Sequence, residues 1–186
     1  MRSTLSSVIL SSLLFLSSCV TENEPDNTGV AVGDRLPEFT VSLSDGTTVT
    51  RASLTGKVAV IEFFNTSCPD CQDSFDVMQR LYDLSKDSDD IIVFAISRDE
   101  DLSSVAGYWH SHNLSIPFSP QPDRRIYNLF ASTGIPRIYI ADKAGIITAA
   151  YSPEDEPTLQ ELISAVEDAG GRATVDMGDF TGVETP

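Results

Sequence analysis

The segment VAVIEFFNTSCPDC, residues 58–71, decides the fold of this 186-residue chain. Its first seven residues are almost continuously apolar and β-prone, which is typical of a strand covered on both faces. Two cysteines follow, Cys68 and Cys71, separated by two residues. From Pro69 to Lys86 the apolar residues recur at intervals of three and four, which predicts a helix. The segment therefore places a cysteine pair where a buried strand meets a helix.

The two cysteines are predicted to differ in role because they stand at different points of that helix. Cys68 lies at the helix N-terminus, where unpaired N–H groups and the helix dipole favour a thiolate. We expect it to be the attacking nucleophile. Cys71 falls one turn inside, on the apolar stripe with Phe75, so its shielded thiol is suited to resolve a mixed disulfide. Pro69 has the fixed φ of a first helical residue.

Acidic residues near this pair are predicted to tune its chemistry. Asp70 and Asp73 lie in the opening turns of the helix and oppose a second negative charge near Cys68. We therefore expect a more reducing pair than a neutral dipeptide would give. Glu62 stands in the buried strand, six positions before Cys68, where desolvation should raise its pKa. It is a candidate acceptor for the proton of Cys71; a solvated position at a sheet edge is the alternative.

The sequence on either side predicts an α/β domain with a mixed central sheet and an N-terminal β-hairpin. Proline in its first turn is expected to start the terminal helix. The predicted elements are a hairpin at 39–43 and 47–51, strands at 58–64 and 91–96, helices at 69–86 and 102–112, a short helix at 124–130, a second hairpin at 137–141 and 146–151, and the terminal helix at 157–169.

The N-terminus indicates export. Residues 1–18 have a basic start at Arg2 and an apolar run too short to span a bilayer comfortably. The run ends in Leu16-Ser17-Ser18-Cys19, which resembles the bacterial lipobox. That resemblance implies a lipid anchor at Cys19 and a location in the bacterial cell envelope, with the domain in the periplasm or on the outer surface. An ordinary secretory signal with an incidental cysteine is the alternative.

The predicted organisation is a lipoprotein signal peptide at 1–18, a flexible acidic tether at 19–32, one folded domain at 33–170 and a disordered tail at 171–186. The formal charge of −16 argues against nucleic-acid binding and against polybasic membrane binding. His110 and His112 face different sides of a helix and have no Cys/His cluster nearby, so no metal site is predicted.

The buried strand with its acid, the Cys-x-x-Cys at the helix start and Ile135-Pro136 before a β-hairpin together resemble the thioredoxin superfamily, and in particular the membrane-tethered TlpA/ResA reductases. The resemblance covers residues 33–169. It implies a thioredoxin-like α/β/α sandwich, a cis bond at Pro136 beside the cysteines, and backbone groups of Ile135 that receive an extended substrate. Glu62 matches the buried acid of thioredoxin.

The resemblance further implies an extracytoplasmic thiol-disulfide oxidoreductase, expected to act as a disulfide reductase, with the Cys68-Cys71 disulfide as its redox centre and no other cofactor. Its partners would be exported proteins with disulfides or thiols, cytochrome c maturation clients among them, and an unidentified membrane electron donor that keeps the dithiol reduced. Ser67 stands where the family usually has tryptophan, which leaves substrate choice open.

Two other functions remain as alternatives. Peroxiredoxins share the fold, but their motif places threonine three residues before the reactive cysteine, whereas Thr66 stands two before Cys68. A non-enzymatic lipoprotein with a static disulfide is the other alternative.

Overall fold

Strands and helices alternate along residues 29–172, the part of the chain that the structure, a computed structural model, describes. The elements are β1 (Thr40–Ser42), β2 (Thr48–Thr50), β3 (Val58–Phe64), α1 (Pro69–Ser85), β4 (Ile91–Ser97), α2 (Leu102–Ser111), β5 (Phe118–Ser119), β6 (Arg137–Ala141), β7 (Ile147–Tyr151) and α3 (Leu159–Asp168). None of the helices within 29–172 has the length and apolar character needed to cross a bilayer.

Strand β3 lies at the centre of a five-stranded sheet with the order β5-β4-β3-β6-β7. It pairs in parallel with β4 and antiparallel with β6, and all its residues are buried. A strand that pairs on both edges and is covered on both faces must be apolar throughout. β1 and β2 form a separate antiparallel hairpin. The predicted α/β class, mixed sheet and N-terminal hairpin are confirmed.

Side chains that alternate along β3 build two aromatic clusters, one on each face of the sheet. Phe64 packs edge-on against Phe75 of α1, with ring centroids 5.3 Å apart, and contacts the tilted ring of Trp109 of α2 at 4.9 Å. On the opposite face Phe63 contacts Tyr127 and Phe130 at 5.6 and 4.8 Å. Tyr127 belongs to a 3-10 helix at 127–129, which takes the place of the short helix predicted at 124–130.

Residues on both sides of the predicted range 33–170 also contact the domain. The Val30 N–H donates to the carbonyl oxygen of Phe130 at 2.9 Å, so the last residues of the range predicted as tether pack on the domain. Gly171 is buried, and its N–H donates to the carbonyl oxygen of Val166 at 2.9 Å. The proposed signal peptide at 1–18, Cys19 and most of the tether lie outside the described residues, as does the tail from 173 onward.

Two further expectations about local structure need correction. Strand β5 was not predicted, because its two residues between Pro117 and Pro120 are too few to show alternation. Helix α3 begins at Leu159, so Pro157 lies before the helix instead of in its first turn. Thr158 caps the helix: its Oγ1 accepts from the Glu161 N–H at 3.3 Å, and the Glu161 carboxylate accepts from the Thr158 N–H at 2.8 Å.

This cap predicts that Thr158→Ala will lower the free energy of unfolding by about 1 kcal/mol, because the Glu161 N–H loses its acceptor, Thr158 Oγ1. Thr158→Ser keeps the hydroxyl and serves as the matched control, with a loss of only a few tenths. Urea unfolding followed by circular dichroism measures the difference. Equal stability of the alanine and serine variants would contradict the assigned cap.

Candidate active site

Cys68 is the N-cap residue of α1, with extended backbone angles of φ −85° and ψ 120°. Its N–H donates to the carbonyl oxygen of Asn65 at 3.0 Å, and its own carbonyl accepts from the Gln72 N–H at 3.1 Å. Pro69 follows in the first turn, where the missing N–H costs no helical hydrogen bond. Cys68 is half-buried, while Pro69 and Asp70 are exposed. The first sulfur therefore stands at a helix N-terminus within reach of a macromolecular partner.

Cys71 lies one turn inside the helix and is fully buried, on the same stripe as Phe75 and Met78. Both cysteines are free thiols. Burial raises the pKa of the Cys71 thiol far above its ordinary value, and the nearby Cys68 and Glu62 raise it further. Cys71 therefore keeps its proton unless a base takes it. The expected asymmetry between an accessible and a shielded sulfur is present in the fold.

Glu62 is completely buried in β3, on the face of the sheet that α1 covers. The hydroxyl of Ser74 donates to Glu62 Oε1, and it also lies 3.0 Å from the carbonyl oxygen of Cys71. A hydroxyl has one proton to donate. When Glu62 is ionised, the Ser74 hydroxyl donates to its carboxylate. When Glu62 is protonated, its carboxyl group can donate to Ser74 Oγ, and the Ser74 hydroxyl then donates to the backbone carbonyl oxygen of Cys71. Ser74 thus connects the carboxyl group with the second cysteine.

Burial raises the pKa of Glu62 to about 8, while the hydrogen bond from Ser74 acts in the opposite direction. Glu62 Oε2 has no hydrogen-bond partner among residues 29–172. A carboxyl oxygen without solvent or donor is poorly stabilised as an anion, which accounts for the direction of the shift. Glu62 therefore changes protonation close to neutral pH, and the alternative of a solvated sheet edge is excluded.

Ile135 and Pro136 lie beside Cys68, immediately before β6, and the peptide bond between them is cis. The Cys68 Sγ lies 3.7 Å from the carbonyl oxygen of Ile135. Both residues are buried, and the exposed Ser132 and Thr133 precede them in the same loop. An exposed part of this loop therefore lies close to Cys68.

Polar contacts fix the turn between β3 and Cys68. The side-chain oxygen of Asn65 accepts from the Ser67 N–H at 2.9 Å, and its amide donates to the Arg98 carbonyl oxygen at 3.0 Å. Glu100 accepts from the Thr66 N–H at 2.8 Å and from the Thr66 hydroxyl. The turn is thereby attached to the chain that follows β4, so the position of Cys68 does not depend on α1 alone.

The structure brings Glu62, Cys68, Cys71, Ile135 and Pro136 to one end of the central sheet. Pro69 and Asp70 lie at the helix start between the two cysteines. Cys19, the predicted lipidation residue, lies outside the described residues. The roles of these residues stay predictions, whereas their arrangement is a property of the fold.

Three contributors to the site were not predicted. Ser74 stands three residues after Cys71, so its helical spacing could have placed it beside the second cysteine. Glu100 and Tyr127 had no such signal: Glu100 reaches Thr66 across 34 residues, and Tyr127 reaches Gly134 across an irregular loop that has no periodicity. For metals, residues 29–172 hold no group of three or more His, Cys, Asp or Glu side chains that could bind an ion.

Comparison with known proteins gives matches over this same region. The Redoxin family model matches residues 31–168. The thiol-disulfide oxidoreductase ResA of Geobacillus thermodenitrificans is 25% identical over 134 residues, which cover 70% of this chain and 76% of the relative. A peroxiredoxin-like protein of Mycobacterium tuberculosis is 22% identical over 131 residues, with coverage of 69% and 82%.

A solved structure from Bacteroides thetaiotaomicron, described as a candidate protein disulfide isomerase, superposes with a TM-score of 0.68 at 29% identity and covers 77% of this chain and 91% of its own. The family model covers most of the chain and spans both cysteines, the buried acid and the cis proline. The chain therefore belongs to the Redoxin family, as a ResA-like thiol-disulfide oxidoreductase with a thioredoxin fold.

Proposed function

We propose that this protein is an extracytoplasmic disulfide reductase that works through the dithiol of Cys68 and Cys71. The observation that carries the proposal is the asymmetry of the pair. One free thiol belongs to the N-cap residue of a helix beside the cis-proline loop, and the other is buried beside an ionisable carboxyl group. A static disulfide would need neither the buried acid nor the accessible first sulfur.

The exchange takes place in two steps. The Cys68 thiolate attacks one sulfur of a client disulfide, a Cys68–client disulfide forms, and the other client sulfur leaves as a thiolate that takes a proton from solvent. The Cys71 sulfur then attacks Cys68 Sγ, the mixed disulfide breaks, and the second client thiol is released. Two electrons pass to the client, and the protein is left with a Cys68–Cys71 disulfide that an electron donor must reduce.

Glu62 supplies the base for the second step. Cys71 cannot attack as a neutral thiol, and its burial opposes loss of the proton to water. The carboxylate of Glu62 receives that proton, so the negative charge on the acid disappears as the sulfur attacks. Ser74 holds the acid in place through the hydrogen bond to Oε1. Ile135 offers its backbone to the extended client, and Pro136 shapes the loop that presents it.

The reducing direction is supported by the acidic first turn. Asp70 is the acidic residue in the first turn of α1, where its charge opposes the Cys68 thiolate. A dithiol whose thiolate is less stabilised gives up its electrons more readily.

For the cellular setting we propose the bacterial cell envelope, with a lipid anchor at Cys19, exported clients that include cytochrome c maturation substrates, and a membrane electron donor. The lipobox and the ResA relatives support this setting.

The two-step exchange predicts that Cys71→Ser will trap clients in mixed disulfides through Cys68, because no second sulfur remains to release them. Purification of the variant from the bacterial envelope without reductant, followed by mass spectrometry, identifies the attached proteins. Cys68→Ser is the matched control and should trap none. Absence of any client on Cys71→Ser would contradict the exchange, and rapid oxidation by hydrogen peroxide in place of disulfides would favour the peroxidase alternative.

The base role predicts that Glu62→Gln will slow resolution of a preformed mixed disulfide by about a hundredfold. Formation of the mixed disulfide should change by no more than about twofold, because Cys68 needs no base from Glu62. In the wild type, resolution speeds up as pH rises towards the Glu62 pKa of about 8, because only the carboxylate accepts a proton. Rapid-quench chromatography separates the two steps. Ser74→Ala should move this rise to higher pH without abolishing it, because the hydrogen bond that lowers the Glu62 pKa is lost. Equal slowing of both steps by Glu62→Gln would contradict the role of Glu62 as the base.

The pH dependence of stability shows whether Glu62→Gln is folded. The folded protein holds the Glu62 proton between the ordinary value of 4.5 and the raised pKa of about 8, whereas the unfolded chain releases it. Wild-type stability therefore falls as pH rises through this range. Glu62→Gln has no carboxyl group to titrate, so this fall is absent from its free energy of unfolding. The difference in free energy of unfolding, variant minus wild type, should therefore increase by up to about 1.4 kcal/mol for each pH unit in this range. Chemical denaturation at several pH values checks that the variant is folded.

The charge in the first turn predicts that Asp70→Asn will make the reduction potential about 10–30 mV less negative, because the Cys68 thiolate is then less opposed. Asp76→Asn is the matched control: it removes the same charge from an exposed position farther along α1. Equilibration with glutathione buffers measures both potentials. An unchanged potential in Asp70→Asn, or an equal change in Asp76→Asn, would contradict the effect of the first turn.

A further inference from the structure

Consecutive carbonyl groups of the loop that leads to Pro136 each contact a different side chain. Arg124 donates to the carbonyl oxygen of Ser132 at 2.7 Å, and Arg137 Nε donates to that of Thr133 at 2.8 Å. The Tyr127 hydroxyl donates to that of Gly134 at 2.6 Å. The next carbonyl, of Ile135, faces Cys68 Sγ at 3.7 Å. The loop that would receive a client is thus lined by arginine.

A third arginine joins this group through Tyr127. The Cζ atoms of Arg98 and Arg124 lie 5.1 and 5.2 Å from the centroid of the Tyr127 ring. Arg98 follows β4 directly, and its N–H donates to the Phe64 carbonyl oxygen at 2.8 Å. Because β3 and β4 are parallel, with Phe64 opposite Ser97, Arg98 leaves the sheet at the edge where the turn to Cys68 begins.

None of the three arginines has a carboxylate within ion-pair distance among residues 29–172. Arg98 Nε is buried and lacks any hydrogen-bond partner there. The carboxylate of Glu154 interacts electrostatically with Arg137 but lies outside ion-pair distance, and it accepts a hydrogen bond from Ser152 Oγ at 2.8 Å. In a chain with 28 acids and 12 bases, half-buried arginines without an ion pair, such as Arg98 and Arg124, are not expected from composition.

The carbonyl contacts leave most of the donor capacity of these side chains unused. A guanidinium has five N–H donors in a planar fork that matches a carboxylate. Arg124 and Arg137 each contribute one nitrogen to the loop, and Arg137 also forms a hydrogen bond with the Tyr139 side chain. Beside Arg124, an open cavity of about 790 Å³ is lined also by Leu129, Ala131 and Ser132, which gives room for a partner side chain.

We propose that Arg98, Arg124 and Arg137 form an anion-binding subsite for carboxylate side chains of the client, next to the cysteine that Cys68 attacks. The proposal rests on the proposed function, because the client must lie along the loop of Ile135. A partly desolvated arginine attracts a carboxylate more strongly than a fully solvated one does. Clients with Asp or Glu beside the reactive cysteine would therefore be preferred over neutral or basic ones.

The test uses the reduced full-length protein and three disulfide-bonded peptides with blocked ends that differ only in two residues beside the cysteine: Glu, Gln or Lys. Rate constants for exchange are measured by quench and chromatography. The wild type should react with the Glu peptide about tenfold faster than with the Gln peptide and slowest with the Lys peptide. Salt should reduce this preference.

Arg98→Gln, Arg124→Gln and Arg137→Gln should each lower the Glu-to-Gln rate ratio by about two- to fivefold, and Arg124→Lys should restore part of it. Arg125→Gln is the matched control. It removes the same charge from the same segment, but its guanidinium is paired with Asp123 at 2.7 Å, so the ratio should stay at the wild-type value.

Equal wild-type rates for the Glu and Gln peptides would overturn the subsite. Equal slowing of all three peptides by the arginine variants would also overturn it and leave the arginines as supports of the loop. A loss of preference in Arg125→Gln as large as in the others would assign the effect to the general field of the protein. Failure of the wild type to react with any peptide would instead contradict the proposed function.

Discussion

Burial of Glu62 is the constraint on which the rest of the site depends. A carboxyl group in the central strand of a sheet, without solvent and with one of its oxygens unpartnered among residues 29–172, strongly disfavours its own charge. Cys71, buried beside it, disfavours a thiolate for the same reason, and each charge would oppose the other. The pair therefore holds one negative charge at most under ordinary conditions. That coupling suits a reaction in which a proton moves from the sulfur to the acid as the sulfur attacks.

The topology of the sheet explains why distant segments meet at this point. β3 and β4 are parallel, so their C-terminal ends share an edge, and β6 is antiparallel to β3, so it begins at that same edge. The turn to Cys68, the chain after β4 and the loop before β6 consequently converge. Side chains then connect them: Glu100 binds Thr66, and Tyr127 binds Gly134. The scaffold thus holds the thiol and the cis-proline loop side by side through these contacts.

The strands and helices could be predicted because their signals are local. The apolar run from Val58 to Phe64 and the helical spacing after Pro69 each specify one element, and the structure places both as expected. Pairing of Glu62 with the cysteines followed from spacing along one strand and one helix. The start of α3 was wrong because Thr158, by its side-chain hydrogen bond, sets the helix start more strongly than the proline before it.

The contacts that complete the site were beyond prediction from the sequence for a physical reason. Glu100 reaches Thr66 across 34 residues, and Arg98 reaches Tyr127 from the end of another strand. No periodicity relates such positions, since their proximity follows only once the sheet order is known. The contact of Val30 has the same cause: its N–H donates to the carbonyl oxygen of Phe130, a partner that no local pattern indicates.

The overall charge of −16 and a local preference for anionic partners are compatible, because charges act over different distances. At physiological ionic strength, interactions between exposed charges are screened beyond about 8 Å. Most of the acids therefore contribute to solubility and to the encounter between molecules, but little to a client already on the surface. For a client that lies along Ser132 and Thr133, the charged groups within about 8 Å determine the electrostatic part of its binding free energy. These groups include Arg124 and Arg137, which donate to the carbonyl oxygens of those two residues. An acidic protein can in this way still select a carboxylate at the thiol, because the distant acids are screened.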